Sequence, residues 1–294
     1  MNKTYAYVNG RIVPADQASI SVFDRGLVLG DGLFETLRAR GGRPEFLNLH
    51  YRRWTKSARL LRLTIPVSEE ELRALIGTLC RKSKMDDAAV RITLTRGRYV
   101  GGLSIDPSVP PSLIITVLPV TPIPESILGR GVKVAISGIN KAAASGLDPR
   151  VKSINYLANI FAKAEGDKRA AYEAILLGAR GEIAELSTSS FFCVIGGVVV
   201  TPPIDTGILP GITRQVLLRE MRRHKIPFRE GEIFPAQIKG PARSRMSEAF
   251  LCSSVRGPVP ITRIENEKVG DGKPGPVFAR LRALYAAACE REVS

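Results

Sequence analysis

The 294-residue chain carries 43 Lys and Arg against 28 Asp and Glu, a net charge of +15, with 44% hydrophobic residues. That suits one large or two medium globular domains, and no apolar run reaches the roughly 20 residues of a membrane helix. Two histidines, His50 and His224, rule out multi-histidine metal sites, and Cys80, Cys193, Cys252 and Cys289 form no C-x-x-C pair, so no metal, no disulfide framework and a reducing cytoplasm are expected.

The first residues lack an apolar leader segment, which agrees with a cytoplasmic location. Tyr5 and Tyr7, then Asn9-Gly10, then Ile12 and Val13 read as a hairpin with a tight primed turn. Ser19 to Phe23 reads as a short extended piece turned by Asp24-Arg25-Gly26, and Leu33 to Arg38 as a strand that returns through Glu45 to Leu47. Helical spacing runs from Asn48, a candidate N-cap, to Leu61. Ser68-Glu69-Glu70-Glu71 predicts a capping box for a helix to Lys82. Strands over Val90–Thr95 and Leu113–Leu118 close this unit, with a Gly/Pro-rich loop between them. Pro119, Pro122 and Pro124 mark a linker.

Beyond the linker come a strand at Val132–Ile136, a lysine segment opening a helix through Ala164, and a strand at Glu173–Leu177. A hairpin at Phe191–Val200 turns at Gly196-Gly197. A helix follows at Thr213–Lys225, then a strand at Ala249–Cys252 and a last helix at Val277–Glu290. Strands grouped apart from helices argue for an α+β fold. The expected division is 1–120, a linker over 121–127, and 128–294. The basic residues are spread along the whole chain, densest over Arg219–Lys225 and Lys239–Arg245, which favours a solvated surface over a nucleic-acid patch.

Three separate segments share one chemistry. Lys152, in Asp148-Pro149-Arg150-Val151-Lys152-Ser153-Ile154-Asn155-Tyr156, can form a Schiff base. Glu185, in Gly181-Glu182-Ile183-Ala184-Glu185, can pair with a pyridinium nitrogen. The Gly211-Ile212-Thr213 turn, opening a helix, can hold a phosphate on backbone N–H groups. Together they suit pyridoxal 5′-phosphate. If one helix includes both Lys152 and Tyr156, they share a face. An arginine of His50-Tyr51-Arg52-Arg53 and the hydroxyls of Cys252-Ser253-Ser254 are further phosphate candidates. Taken singly, each feature is also what a solvated lysine, a strand-end glutamate, an ordinary N-cap or a surface arginine would present.

From Tyr7-Val8-Asn9-Gly10 to Gly275-Pro276, the chain resembles the fold-type IV pyridoxal-phosphate enzymes. These comprise branched-chain and D-amino acid aminotransferases, (R)-amine transaminases and aminodeoxychorismate lyases. Asp24-Arg25-Gly26, Gly30-Asp31-Gly32-Leu33-Phe34-Glu35-Thr36, His50-x-x-Arg53, Lys152 to Leu157, Glu185 and Leu209-Pro210-Gly211-Ile212-Thr213-Arg214 carry the likeness. It implies a smaller N-terminal α/β domain, a larger C-terminal pseudo-barrel domain with the cofactor between them, and a homodimer to which residues near Leu29 and Leu103 contribute. It also implies roles: Lys152 for the Schiff base, Glu185 for the pyridine nitrogen, Arg53, Ile212, Thr213 and Ser254 for the phosphate, Tyr156 for the cofactor oxygen, Leu209 for the ring. Amino acids and 2-oxo acids are the implied substrates, near Phe34, Thr36, Arg38, Arg96, Arg98 and Val255. Ser190 stands where the family usually has asparagine.

The subgroup signature is mixed. Thr36 resembles the lyases, but Gly101 stands where lyases and D-amino acid enzymes align a carboxylate-binding arginine. Tyr156 and Ser254-Val255 fit a branched-chain enzyme, whereas Ala89 stands where those enzymes carry tyrosine. The expectation is an amino acid:2-oxo acid transaminase, with the lyase as the alternative, then a D-amino acid or (R)-amine enzyme.

Overall fold

A computed structural model describes residues 4–99, 101–141 and 148–293; Val100 of the Arg96–Gly101 loop and the first three residues lie outside them. The fold is α+β and falls into two compact units, 1–121 with 151–155 and 292–294, and 122–150 with 156–291. Lys152 thus packs with the first unit, not with the C-terminal half to which the sequence assigned it. The reason is backbone pairing: Phe34 N–H donates to the Lys152 carbonyl (2.9 Å), and Ile154 N–H to the Gly32 carbonyl (3.1 Å).

In unit 1, β1 (Tyr5–Val8) and β2 (Arg11–Pro14) form the hairpin, with Asn9 and Gly10 both at positive φ. With β3 (Gly32–Arg40), β4 (Arg43–Pro44), β5 (Asp87–Thr95) and β6 (Ser112–Pro119) they make a six-stranded sheet ordered β2-β1-β6-β5-β3-β4. Ser19–Phe23 forms no strand. Asp24 instead caps a short helix, α1 (Arg25–Leu29), by accepting from Gly26 N–H. The same buried carboxylate takes hydroxyls from Thr95 (3.0 Å) and Ser112 (2.7 Å). The expected return strand over Glu45–Leu47 ends early, because Phe46 turns left-handed (φ 50°) and starts α2 (Leu47–Leu60), so Asn48 is inside the helix rather than its cap. Around α3 (Glu69–Ser83) the capping box forms as expected between Ser68 and Glu71. Trp54, Leu72, Ile76 and Leu79 from the helices meet Leu33, Leu37 and Ile92 of the sheet. A fully buried side chain of this size contributes about 1.5–3 kcal/mol.

Unit 2 opens with α4 (Glu125–Arg130), which takes up the second half of the expected linker. Its nine-stranded mixed sheet runs β12-β11-β10-β13-β14-β7-β8-β9, with β15 on β14. The strands are β7 (Val132–Asn140), β8 (Glu173–Leu177), β9 (Ile183–Leu186), β10 (Ser190–Ile195), β11 (Val198–Thr201), β12 (Phe228–Glu230), β13 (Met246–Ser253), β14 (Gly257–Ile264) and β15 (Glu267–Lys268). Among the described residues α5 (Leu157–Lys168), α6 (Ile212–Arg223) and α7 (Pro276–Val293) accompany it. Val134, Ile175, Phe191, Leu251 and Val259 fill the core, and Glu248 caps α7 by accepting from Val277 and Phe278 N–H. Cys80 of unit 1 and Cys193, Cys252 and Cys289 of unit 2 are all buried thiols.

Candidate active site

Lys152 lies in extended backbone just ahead of α5, whose N-cap is Tyr156. The two residues therefore do not share a helical face, since the helix starts after both. Its carbonyl is fixed by Phe34, and its ammonium lies 4.5 Å from the centroid of the Phe34 ring. On that ring also rests the guanidinium of Arg91, at 3.8 Å. Register explains this. Thr36 pairs with Arg91 and Phe34 with Thr93, so Phe34, Thr36, Arg38 and Arg91 share the sheet face opposite the Leu33–Leu37 core.

Glu35 points the other way, toward α2, and is sealed. Arg53 forks onto it with Nε (2.8 Å) and Nη2 (2.6 Å), and His50 Nδ1 meets it at 2.7 Å. Burial pushes the Glu35 carboxyl up, but the Arg53 charge and the hydrogen bonds from His50 and Arg53 outweigh it and hold it at about 2. Burial pushes the His50 imidazole below its ordinary value against the pull of Glu35. Two guanidinium nitrogens of Arg53, the sequence-assigned phosphate ligand, are thus fixed within the unit.

Two other arginines named for substrate have structural tasks. Arg38 forks onto Asp87 (2.6 and 2.5 Å). Arg96 clamps Asp31 with Nε (2.7 Å) and Nη2 (3.0 Å) and donates to the carbonyls of Leu61 and Arg62 at the end of α2. Arg25 completes the clamp on Asp31. Arg98 is exposed, its backbone bridged to Asp24.

Unit 2 gathers the remaining candidates. Glu185 sits on β9 at 6% exposure. One oxygen lies 2.5 Å from Lys141 Nζ, and the other accepts from Leu209 N–H (3.1 Å). Gly211 is the N-cap of α6, which presents the backbone N–H groups of Ile212 and Thr213. A Cβ at Gly211 would stand 2.5 Å from Ser190 Oγ, so glycine and serine together shape this end of the helix. Ser190 pairs with Cys252, which brings the start of β10 beside the Ser253–Arg256 turn holding Ser254 and Val255. Thr213 Oγ1 lies 3.4 Å from the Tyr285 hydroxyl of α7.

Lys141, Arg91, Glu173, Arg256 and Tyr285 were not singled out from the sequence. Their partners lie far along the chain, and only a charged residue heading the apolar run Ala174–Leu177 hints at Glu173.

The parts thus comprise a seated amine, a buried carboxylate and a helix N-terminus lined with hydroxyls, on an α+β frame. Known proteins share this frame. The model of the amino-transferase class IV family matches residues 32–264, and the chain belongs to that family of pyridoxal-phosphate-dependent transaminases. It is 31% identical to a putative branched-chain-amino-acid aminotransferase of Methanocaldococcus jannaschii, over 95% of this chain and 94% of that one. It is 33% identical to a D-alanine aminotransferase of Listeria innocua, over 95% and 93%. The crystal structure of the Escherichia coli branched-chain amino acid aminotransferase superposes with a TM-score of 0.90 at 25% identity, covering 99% of this chain and 96% of that one.

Proposed function

We propose that this chain holds pyridoxal 5′-phosphate covalently on Lys152 and moves the amino group of a branched-chain-like amino acid to a 2-oxo acid. The seating of Lys152 carries the reading: its backbone is pinned to β3, so its ammonium is placed over an aromatic ring rather than left in solvent. When bound, the cofactor supplies an electron sink for the charge left at the substrate α-carbon. Lys152 Nζ, once released, accepts the α-carbon proton. Glu185, with one oxygen fixed by Leu209 N–H, offers a buried anion to keep a pyridine nitrogen protonated. The Ile212 and Thr213 N–H groups and the hydroxyls of Thr213 and Ser254 suit a phosphate. Arg53, its plane set by Glu35, serves the same group. Tyr156 is assigned to the cofactor's phenolic oxygen and Leu209 to its ring.

Phe34, Thr36, Arg38 and Arg91 share one sheet face, which suits that face to the substrate; Val255 is assigned to the substrate as well. The partner protein is a second copy of this chain. Supporting this, unit 1 exposes Val22, Phe23, Leu27 and Leu103, and unit 2 exposes Leu157 and Phe161. No described helix is long and apolar enough to cross a membrane, and a cytoplasmic location is proposed.

Borohydride reduction of the yellow protein followed by digestion is expected to label the Lys152 peptide. A label elsewhere, or none, overturns the proposal. Lys152→Ala is expected to lower turnover by at least about 10⁴-fold, because it removes both tether and proton carrier. A panel of L-amino acids, D-amino acids, (R)-amines and aminodeoxychorismate then reads the substrate. Preference for D-alanine assigns the D-series, and pyruvate released from aminodeoxychorismate assigns the lyase.

A further inference from the structure

Glu173 opens β8 at 1% exposure and takes no part in the roles above. It accepts hydrogen bonds from Ser187 Oγ (3.2 Å), Thr188 N–H (3.0 Å), Thr188 Oγ1 (2.9 Å) and Ser189 Oγ (2.8 Å). All four come from the link between Glu185 and Ser190. Against the same carboxylate lies Arg256 Nη2, which also reaches Thr188 Oγ1 (2.6 Å) and Ser189 Oγ (3.1 Å). Arg256 Nε holds Ser253 Oγ (3.2 Å), and its guanidinium lies 5.4 Å from the Tyr172 ring centroid. The far end of the same turn rests on α7: Gly257 is at φ +65°, and a Cβ there would stand 3.1 Å from the Tyr285 ring whose hydroxyl meets Thr213.

We propose that Arg256, acting through Glu173, is a positioning residue for the cofactor's phosphate: it locks the Ser187–Ser189 link to the Ser253–Gly257 turn and so sets Ser254 and Ser190 against the N-terminus of α6. The inference rests on the cofactor reading above. Arg256 acts through these segments because its Nε and Nη2 face acceptors of the protein itself. Hydroxyls alone hold a carboxylate loosely, since each rotates about its own Cβ. The planar guanidinium reaches Ser253 and the Ser187–Ser189 link at once and fixes their spacing.

The test titrates apoprotein with pyridoxal 5′-phosphate and, separately, with pyridoxal, followed by absorbance. Arg256→Ala is expected to weaken the phosphorylated ligand roughly tenfold and leave pyridoxal unchanged, with Arg256→Lys recovering part of the loss. Should Arg256→Ala fold poorly, Arg256→Met with Glu173→Gln removes both charges together, and the same phosphate-selective loss is expected. Equal loss for both ligands, or no loss in a folded variant, overturns the inference. If instead the wild-type chain forms no borohydride-stable adduct at Lys152, the cofactor reading falls, and this inference with it.

Discussion

Glu35 in unit 1 and Glu173 in unit 2 are both sealed carboxylates at 1% exposure, yet they are satisfied differently. Glu35 meets a forked arginine and an imidazole on one helix, so its partners are rigid and few. Glu173 meets one arginine, one backbone N–H and three hydroxyls drawn from two turns. The first arrangement braces a helix against a strand, and losing one member leaves a charge with little else to turn to. The second spreads the load, so it tolerates single losses and instead governs the spacing of the loops it joins.

Breaking each cluster at its arginine tests this contrast most strongly. Arg53→Ala is expected to cost about 3–5 kcal/mol in urea unfolding, because it strands the Glu35 charge. Arg256→Ala is expected to cost less, since hydroxyls and the Thr188 N–H remain on Glu173. Equal losses would erase the distinction.

Acid is the next largest lever. Glu35 has its folded value depressed from 4.5 to about 2, so its stabilisation is fully present above 4.5 and disappears as pH falls toward 2. The amount is roughly 3 kcal/mol. His50 is depressed as well; the unfolded chain takes up its proton first, so stability begins to fall below about pH 6.5. Glu35→Gln is expected to flatten the profile below pH 4.5 when unfolding is followed by fluorescence of Trp54, the single tryptophan. A slope retained there would move the acid sensitivity to another carboxylate.

The smallest effect sharpens the comparison from the other side. Ser189→Ala deletes one of several donors to Glu173 and is expected to cost about 1 kcal/mol by thermal unfolding. A loss as large as that of Arg53→Ala would show that the hydroxyl cluster is as brittle as the arginine fork.

What the sequence made legible was local. Asn9-Gly10 and Gly196-Gly197 fix their hairpins through φ that glycine supplies, and Ser68–Glu71 announces α3 by a reciprocal cap within four residues. Lys152, Glu185 and Gly211-Ile212-Thr213 stood out because their chemistry is rare in combination. What stayed hidden was decided by distant partners. Arg96 and Arg38 look like substrate cations until Asp31, 65 residues away, and Asp87, 49 away, appear beside them. Glu173 and Arg256 are 83 residues apart. Asp24 reads as a turn residue because nothing nearby reveals the hydroxyls of Thr95 and Ser112 that hold its second oxygen while the first caps α1. Phe46 hides the start of α2, since a left-handed phenylalanine contradicts its own propensity.

The buried thiols offer a built-in reporter. Burial pushes Cys80, Cys193 and Cys252 above the ordinary thiol range, so the native protein meets an alkylating reagent almost wholly in its unreactive form. Modification then clocks how often each region opens: Cys80 times breathing around α3, while Cys193 and Cys252 time parting of β10 and β13, the strands on which Ser190 pairs with Cys252. Mass spectrometry of the unaltered chain would read both clocks in one experiment, with no label introduced.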